Sequence, residues 1–450
     1  MTLLGDLLQR LNEPLARYAD LDRYYEGRQP LAYLSPEART ALGTRFGIMA
    51  SNIPRLAVTA LAERLRITGF SGDPGLWADW LANDLDQQAG VAHREALLLG
   101  DSYAIVWANQ SGRPLVTVES AKQVATLNDP GTRKPYAGIK RWEDRARKTT
   151  EVMMYLPDVI VHKRADQLGA VANGFQTVEE FPNPLGVVPV VNLRNTDRIV
   201  DYTYNVLYDY GFSEIDDLRP LVDALNKSLA DMMVTSEYVG RPRRWATGIE
   251  LTEEPVLDDA GNPVLDDDDQ PVMQEVNPIP EGHRAMISEN NEAKFGQLAA
   301  ADLAGYEASV RVILGQIMAV STLPAHYVGV FTDNPASADA LRASESSLTA
   351  RAEARQQTFG RAWEQVARLM IAVRDGVDPN GIDDIRVQWA DAATRSVAQE
   401  ADAVVKLYQA GLLPAPYALG KLGYSDDEIA KIAAARGPAP AAGQGDPNAA

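Results

Sequence analysis

Cysteine is absent from this 450-residue chain, which excludes disulfide bonds, a thiol nucleophile and a cysteine-bound metal. Residues Met1 to Asp6 contain no basic segment leading into a continuous apolar core, so no secretory signal peptide is expected. No run of eighteen apolar residues occurs, and the sequence therefore predicts no membrane-spanning helix. Together these absences favour a protein of the cytoplasm, or of a particle assembled there.

Basic residues are scarce relative to acidic ones. The chain has 43 lysines and arginines against 62 aspartates and glutamates, which gives a net charge of −19 and a pI near 4.7. Tight DNA-binding proteins are usually basic, because their affinity comes from neutralising phosphates. A conventional DNA-binding protein is thus excluded, although DNA could still slide past an acidic surface. The 46% hydrophobic content is typical of a globular chain, and the length allows two or three domains with real cores.

Recognisable catalytic motifs are also missing. The four histidines are far apart, and neither HExxH nor GxSxG occurs. Gly420-Lys421 is the nearest approach to a phosphate-binding loop, but Ala415 and Leu422 replace the glycine and the hydroxyl residue of a Walker A motif. The acidic run Asp266 to Asp269 lacks the spacing and the closing glutamate of a calcium loop, so a solvated turn is favoured over a metal site. We predict a protein that is not an enzyme and binds no cofactor.

Residues 1–211 combine helical and strand patterns. Helical periodicity is found near the N-terminus, after Asn52, and from Val91 to Leu99. A hairpin turn at 109–112 joins two of the strand-like segments, which lie at 103–107, 115–118, 136–142, 151–155, 158–162 and 187–191. Pro189 suggests an edge position for the last strand. The patterns predict an α+β domain built on antiparallel sheet.

A long helix is predicted from Phe212 to Tyr238. Ser213 with Asp216 resembles a capping box, and one apolar stripe is formed by Ile215, Leu218, Val222, Leu225, Leu229 and Met232. A short basic cluster follows, formed by Arg241, Arg243 and Arg244 beside Trp245. For this cluster we favour contact with an acidic protein partner or a neighbouring subunit over contact with phosphate.

An eight-residue near-repeat comes next. Pro-Val-Leu-Asp-Asp occurs at 255–259 and again at 263–267, and Pro-Val-Met occurs at 271–273. Short strands separated by acidic turns are the structure that best fits this pattern.

The sequence from Phe295 to Val373 predicts a helix, a loop and a longer helix. The first helix ends at Ser321 to Pro324, and Asn334 and Pro335 are suited to cap and begin the second. The first half of the second helix is rich in alanine, serine and charged residues, so we expect it to pack against copies of itself or to span between domains. The alternative, a core helix of a single subunit, is supported only by its second half. A strand at 385–389, helices at 394–410 and 425–435, and a disordered tail after Gly437 complete the chain.

Short motifs occur in a fixed order along residues 10–435. They are Tyr24-Tyr25-Glu26-Gly27, Leu97 to Tyr103, Phe212 to Ser228, Asn334 to Leu341, Val387 to Asp391, Gln409 to Pro414 and Leu422 to Ser425. In this order they resemble the portal proteins of tailed double-stranded DNA bacteriophages, of the siphovirus type.

The resemblance implies an α+β subunit of a portal-type ring, with an α+β wing, two stem helices, a small β-containing clip, a long spine helix and a helical crown. The implied boundaries are 1–211 for the wing, 212–238 for the first stem helix, 239–296 for the clip and its connections, 297–320 for the second stem helix, 321–334 for the tunnel loop, 335–376 for the spine helix of the wing, 377–436 for the crown and 437–450 for the tail. DNA-facing candidates in the tunnel loop are Thr322, His326, Tyr327, Phe331, Thr332 and Asn334. Partner-contact candidates in the clip are Arg241, Arg243, Arg244 and Trp245.

The function implied is a ring, usually a dodecamer, at one capsid vertex, through which DNA is packaged, retained and ejected. Implied partners are further copies of the chain, double-stranded DNA, the terminase large subunit, the major capsid and scaffolding proteins, and the head-tail connector, with no membrane. The implied location is the virion, after assembly in the host cytoplasm. An acidic channel that does not grip DNA, and a separate motor that carries the ATPase, agree with the charge and with the missing Walker A motif. Two alternatives remain: a metal-dependent phosphoesterase or nuclease using the carboxylates of 258–269, and another connector ring, against which the chain length argues.

Overall fold

The computed structural model of the protein describes residues 2–32, 50–171, 173–198, 210–240, 244–248, 252–257, 261–266, 270–276, 292–297, 303–330, 337–393, 397–422, 424 and 426–436. Its α-helices are α1 (Leu3–Asn12), α2 (Leu15–Glu26), α3 (Ile53–Ala62), α4 (Leu76–Ala82), α5 (Leu85–Leu99), α6 (Arg219–Gly240), α7 (Ala304–Ser321), α8 (Ala338–Ser344), α9 (Ser346–Asp375), α10 (Val397–Gln409), α11 (Ala415–Lys421) and α12 (Asp426–Arg436). Its strands are β1 (Ile67–Ser71), β2 (Asp101–Ala108), β3 (Pro114–Ser120), β4 (Val124–Asn128), β5 (Pro135–Asp144), β6 (Thr149–Tyr155), β7 (Val159–Ala165), β8 (Gln176–Pro182), β9 (Val190–Arg194), β10 (Arg244–Thr247), β11 (Thr252–Pro255), β12 (Met273–Val276), β13 (Lys294–Gln297) and β14 (Arg386–Trp389).

A three-stranded antiparallel sheet, in the order β3-β2-β9, lies at the centre of the N-terminal body. The first six residues of β2 are all buried, because α5 and α9 pack on this sheet. Gly100 joins α5 to β2 with φ 99°, and a Cβ there would collide with the backbone of Gly211. The predicted hairpin at 109–112 is confirmed. The edge position inferred from Pro189 is also confirmed, although that residue precedes β9 and does not lie within it.

A five-stranded antiparallel meander, β4-β5-β6-β7-β8, forms a second sheet. Helix α1 covers one part of it, and Leu7, Leu8 and Leu11 are buried against residues of β4, β5 and β6. Thr2 caps the N-terminus of this helix, because its hydroxyl accepts a hydrogen bond of 3.2 Å from Gly5 N–H. The mixed helix and sheet content, and the antiparallel sheet predicted for this part of the chain, are confirmed.

The 30-residue helix α9 packs through the middle of the body. Its buried positions recur at steps of three and four residues, namely Leu348, Ala352, Arg355, Phe359, Trp363, Val366 and Met370. The alanine-rich first half is therefore also part of the subunit core. The expectation that little of this half would be buried within its own subunit is corrected at Leu348, Ala352 and Arg355, which form one inward stripe with the residues that follow, whereas its packing against copies of the chain stays a prediction.

Strand β14 belongs to the N-terminal body and not to the C-terminal helices. It pairs antiparallel with β1, and Phe70 lies opposite Val387. Gly360 of α9 lies under this strand, where an added Cβ would be 3.1 Å from Cγ1 of Val387 and 3.3 Å from Nε1 of Trp389. Packing against the body continues beyond the boundary predicted at residue 377 as far as Ala392, which is buried.

The two helices predicted on either side of residues 239–296 start later than the sequence suggested. Residues 214–218 form turns before α6, in which Ser213 Oγ accepts a hydrogen bond from Ile215 N–H and Asp216 accepts one from Ser213 N–H. The predicted apolar stripe of α6 is nevertheless buried from Ile215 to Leu225. Phe295, the predicted start of the next helix, lies in β13, and α7 begins at Ala304.

The predicted single helix from Pro335 is divided in two. Ser337 caps α8 by accepting a hydrogen bond from Ala340 N–H, and Glu345 separates α8 from α9 with φ −88° and ψ −5°. Asn334 and Pro335 lie outside the described residues. At the C-terminal end, α10 and α12 match the two predicted helices in place, whereas α11 falls in the predicted connection between them. The predicted tail at 437–450 also lies outside the described residues.

Candidate functional site

The DNA-facing candidates that the structure describes lie in the segment that follows α7. Thr322 ends this helix with a left-handed backbone, φ 59°, and its buried Oγ1 has no hydrogen-bond partner among the residues that the structure describes. Leu323 then turns into the core, where its side chain is 3% exposed. A short 3₁₀ helix, Ala325–Val328, brings His326 and Tyr327 back toward α9. This segment therefore begins as packed structure and not as a free loop.

Glu345, at the break between α8 and α9, is the centre of a buried ionic cluster. Arg64, from the end of α3, donates a hydrogen bond of 2.9 Å to its carboxylate. His326 Nε2 lies 3.4 Å from the other carboxylate oxygen. Arg64 also donates to the carbonyl of Ala392 at 2.6 Å and to the hydroxyl of Tyr327 at 3.4 Å. The cluster thus joins the residues that follow α3, the segment after α7, the break between α8 and α9 and the residues that follow β14.

Burial and pairing act in opposite directions on Arg64. Desolvation is the largest single influence and disfavours its charge, but the interactions with Glu345 and Tyr327 together outweigh it and raise the pKa of Arg64 above its ordinary value. The side chains of Arg64 and Glu345 are 8% and 11% exposed. An ion pair so withdrawn from water fixes the relative positions of its two backbones, because separating the charges would leave each uncompensated.

A second ionic cluster surrounds Glu214, just before α6. Arg355 of α9 donates to its carboxylate at 2.9 Å through Nε and contacts it at 2.8 Å through Nη2. Asn195 donates a further hydrogen bond of 3.0 Å. Arg351 approaches the same carboxylate at 3.4 Å and also donates to the carbonyl of Ser321 at 3.0 Å, at the C-terminal end of α7. The ends of two helices are therefore fastened to α9 by one pair of arginines.

Three of the six DNA-facing candidates lie in this framework, and each of them is half-buried. His326 contacts Glu345 and stacks edge-on against Tyr327, with 4.8 Å between ring centroids. Phe331, Thr332 and Asn334 lie outside the described residues. The structure therefore brings His326 and Tyr327 together with groups of their own subunit, and their contact with DNA stays a prediction.

Arg64, Glu214 and Glu345 were missed by the sequence analysis. Each is a single charged residue whose partners come from distant parts of the chain. One signal was available for Arg355, because Leu348, Ala352, Arg355 and Phe359 follow each other at steps of four, three and four residues. That spacing indicates that Arg355 shares the buried face of its helix.

The connection between α6 and α7 consists of small antiparallel units. Helices α6 and α7 pack against each other, and Thr235 Oγ1 donates a hydrogen bond of 3.1 Å to Tyr306 Oη. Strand β10 pairs with β13, so that the ring of Trp245 lies against Gly296, where no Cβ would fit. Trp245 remains 43% exposed. Arg244 begins β10, whereas Arg241 and Arg243 lie outside the described residues.

The eight-residue repeat forms short strands, as predicted. Strand β11 pairs with β12, and isolated bridges join Leu257 to Pro263 and Leu265 to Pro271. Most of the acidic turn residues, 258–259 and 267–269, lie outside the described residues. Within the part of the chain that the structure describes, no group of three or more acidic or histidine side chains is arranged to hold a metal ion. In the same ranges, no helix is long and apolar enough to cross a membrane.

Comparison with known proteins gives matches along nearly the whole chain. A family model described as "Phage portal protein, SPP1 Gp6-like" matches residues 4–437. The portal protein of Mycobacterium phage D29 is 31% identical over 428 residues, covering 88% of this chain and 82% of that protein. The portal protein of Mycobacterium phage L5 is 32% identical over 397 residues, covering 83% and 76%. Among solved structures, a chain from the neck of an empty gene transfer agent particle overlaps 91% of this chain and 94% of its own length, with 13% identity and a TM-score of 0.45.

Proposed function

The chain belongs to the SPP1 Gp6-like family of phage portal proteins, and from that membership we propose that identical subunits form a ring, the channel for double-stranded DNA at one vertex of the phage head. The observation that carries the proposal is the family match over residues 4–437. Portal proteins are structural proteins, so the prediction that this chain is not an enzyme is confirmed. The alternative of a metal-dependent nuclease acting through residues 258–269 is not favoured.

The proposal assigns a role to each part of the fold. Helices α6 and α7 are the two stem helices, the β units between them form the clip, and residues 321–334 form the tunnel loop. Helix α9 is the spine of the wing, and α10 to α12 form the crown. The exposed face of α7 favours the ring proposal. Val312 and Val320 are 66% and 37% exposed on this helix, and its other side packs on α6. A neighbouring subunit would remove these apolar side chains from water.

The net charge supports a passive channel. An excess of carboxylates repels phosphates, so DNA passing close to the subunits would be held weakly. The proposed partners are further copies of the chain, double-stranded DNA, the terminase large subunit, the major capsid and scaffolding proteins, and the head-tail connector. The proposed location is the capsid vertex of the virion, after assembly in the host cytoplasm.

Electron microscopy of the purified protein tests the ring. We expect rings with a central hole, and we expect Val312→Glu to reduce their number, because it places a charge on the exposed face of α7. Val171→Glu is the matched control, since Val171 is 54% exposed on the wing. A protein that stays monomeric at high concentration would contradict the proposal.

A further inference from the structure

A cavity of about 570 Å³ lies at one end of the five-stranded meander, and we term it the cationic cavity. It is lined by the turn between β4 and β5, the turn between β6 and β7, the connection between β8 and β9, the second half of α9 and the residues that follow α9. Cavities that bind small molecules have volumes of about 300–1,000 Å³. The cationic cavity therefore has the size for one small organic molecule.

The charge of this cavity is opposite to that of the whole chain. Arg133 and Lys134 of the β4–β5 turn and Arg368 of α9 line it, and Asp383 is the one carboxylate among the lining residues that the structure describes. The cavity thus has an excess of two positive charges in a chain whose net charge is −19. Nε of Arg368 is buried and has no hydrogen-bond partner in the described part of the chain. An unpaired buried donor is costly, and a bound anion would supply its acceptor.

The walls of the cationic cavity are fixed by hydrogen bonds of their own. In the β4–β5 turn, Arg133 N–H donates to the carbonyl of Asp129 at 2.7 Å, and the Asp129 carboxylate accepts two further hydrogen bonds within the turn. Asn183 Nδ2 donates to the carbonyls of Leu156 and Val187 at 2.8 and 2.7 Å, which joins two other wall segments. A ligand would therefore bind with little ordering of the backbone.

Arg133 has a backbone conformation that does not favour an arginine. Its φ of 58° is left-handed, and glycine adopts this conformation at a lower cost than a residue with a Cβ. Stability alone would thus favour glycine at this position, whereas binding of an anion requires the guanidinium. The two requirements can be separated by experiment.

The remaining lining of the cavity is mostly apolar. Pro135, Tyr136, Pro157 and Leu369 lie in the same walls as the cations, and the side chain of Tyr136 is 44% exposed. An aromatic side chain stacks favourably on another planar ring. A ligand that satisfies both features of the cavity has an anionic group joined to a planar ring.

Charge also favours one kind of anion. A phosphate monoester carries about −1.5 to −2 charges at pH 7, which matches the excess of two positive charges, whereas a carboxylate carries a single charge. A nucleic acid would extend beyond the cavity, where the net charge of the protein repels its further phosphates. A small phosphate monoester is therefore favoured over both.

We propose that the cationic cavity binds a phosphate monoester that carries a planar ring, with the size of a nucleoside monophosphate. Arg133, Lys134 and Arg368 contact the phosphate, and Tyr136 stacks on the ring. The bound molecule joins the meander to α9, because its cationic contacts come from both. The proposal is independent of ring formation by the subunits.

Isothermal titration calorimetry with the full-length protein and the four ribonucleoside monophosphates tests the proposal. We expect at least one of them to bind, with one site per subunit. Inorganic phosphate and the matching nucleoside should each bind more weakly, because each keeps only one part of the contacts. The matching 3′,5′-cyclic monophosphate should also bind more weakly, since its phosphate carries a single charge. A short DNA duplex distinguishes the phosphates of DNA from a free nucleotide, and it should not displace the nucleotide.

Two substitutions test the assigned cations. Arg133→Gly should raise the Kd of the nucleotide about tenfold or more, because a hydrogen bond to a charged group is lost. The same variant should unfold at an unchanged or higher temperature, since glycine suits the left-handed backbone. Arg368→Gln should also raise the Kd, and Arg368→Lys should restore part of the affinity.

Lys148→Gly is the matched control. Lys148 is an exposed cation with φ 56° in the turn between β5 and β6, and it does not line the cavity, so this variant should keep the wild-type Kd. The proposal is overturned if none of the four nucleotides binds, if the duplex displaces the nucleotide, or if Arg133→Gly and Lys148→Gly have the same Kd. Failure of the proposed function is distinguishable, because it would appear as absent rings in electron micrographs of the wild-type protein.

Discussion

His93 lies fully buried between α5 and α9 and accepts a hydrogen bond of 2.8 Å from the indole N–H of Trp363. Its ring stacks on Phe359 with 5.4 Å between centroids and is tilted against Trp389 at 5.5 Å. Burial lowers the pKa of His93 to about 3, so the folded protein keeps this imidazole neutral. A histidine with such neighbours is a structural acceptor inside an aromatic core and not a pH sensor at neutral pH.

This burial makes stability depend on pH in a defined direction. An unfolded chain binds a proton on the imidazole near pH 6.5, whereas the folded chain does so only near pH 3. The stabilisation from the neutral ring is therefore complete above pH 6.5 and is lost as the pH falls toward 3, by about 2 kcal/mol between pH 7 and pH 5. His93→Phe should be less stable than wild type at pH 7 by about 1–3 kcal/mol, because the Trp363 N–H loses its acceptor. The His93→Phe variant should also lose less stability than wild type between pH 7 and pH 5.

Urea unfolding at pH 7 and pH 5, at one protein concentration, measures both effects. Trp363→Phe is the control, since it removes the donor but keeps the imidazole and should show the wild-type dependence on pH. A His93→Phe variant with the full wild-type loss between pH 7 and pH 5 would refute this account.

At the scale of elements, the sequence predicted what local periodicity determines. The apolar stripe from Ile215 to Leu225 and three of the five strands of the meander, β5, β6 and β7, were found in this way, whereas β4 and β8 were missed. The break at Glu345 was not found, because no glycine or proline marks it and Glu345 is fixed there by Arg64 from α3. The sequence also could not show which strand pairs with β14. Thr68 of β1 donates a side-chain hydrogen bond to the carbonyl of Gln388, which lies 320 residues further along the chain. The two ionic clusters depend on the same long-range packing, so only single members such as Arg355 leave a sequence signal.

Two glycines in long helices should respond to substitution in opposite ways. Gly360→Leu places a large side chain where even a Cβ is tight against Val387 and Trp389, so it should displace β14 and destabilise by about 1–3 kcal/mol. The added methyl group of Gly315→Ala on α7 would meet nothing within 4 Å in the described part of the chain, and the substitution should stabilise by about 1 kcal/mol through helix propensity. Urea unfolding compares the two variants with wild type. Equal effects of both substitutions would contradict the packing described for Gly360.

At the scale of the whole molecule, the two ionic clusters hold the first part of the segment after α7 against the rest of the subunit. Leu323 is buried and Tyr327 packs on the core, so a deletion that began at Leu323 would damage the subunit itself. Replacing only Phe331, Thr332, Asp333 and Asn334 by a Gly-Ser-Gly-Ser sequence spares those contacts. This replacement therefore tests the role of the proposed tunnel loop better than a deletion that begins at Leu323.

This replacement should leave rings intact and reduce the amount of packaged or retained DNA. Electron microscopy of the variant protein and the nuclease-protected DNA per particle measure the two outcomes. The matched control is a Gly-Ser replacement of 110–111 in the exposed turn between β2 and β3, which should change neither. Loss of rings in the loop variant would assign residues 331–334 to assembly and not to DNA handling.

The pairing of β1 with β14 also determines how late in its synthesis a subunit can complete its fold. β1 has to wait for a strand encoded 320 residues later, which corresponds to about 15–65 s of translation at ordinary ribosomal speeds. Pairings this distant in sequence also form slowly once both strands exist. The surfaces around β1 and Gly360 are therefore completed only when nearly the entire chain has left the ribosome. A nascent chain therefore exposes these surfaces until residue 389 has been synthesised.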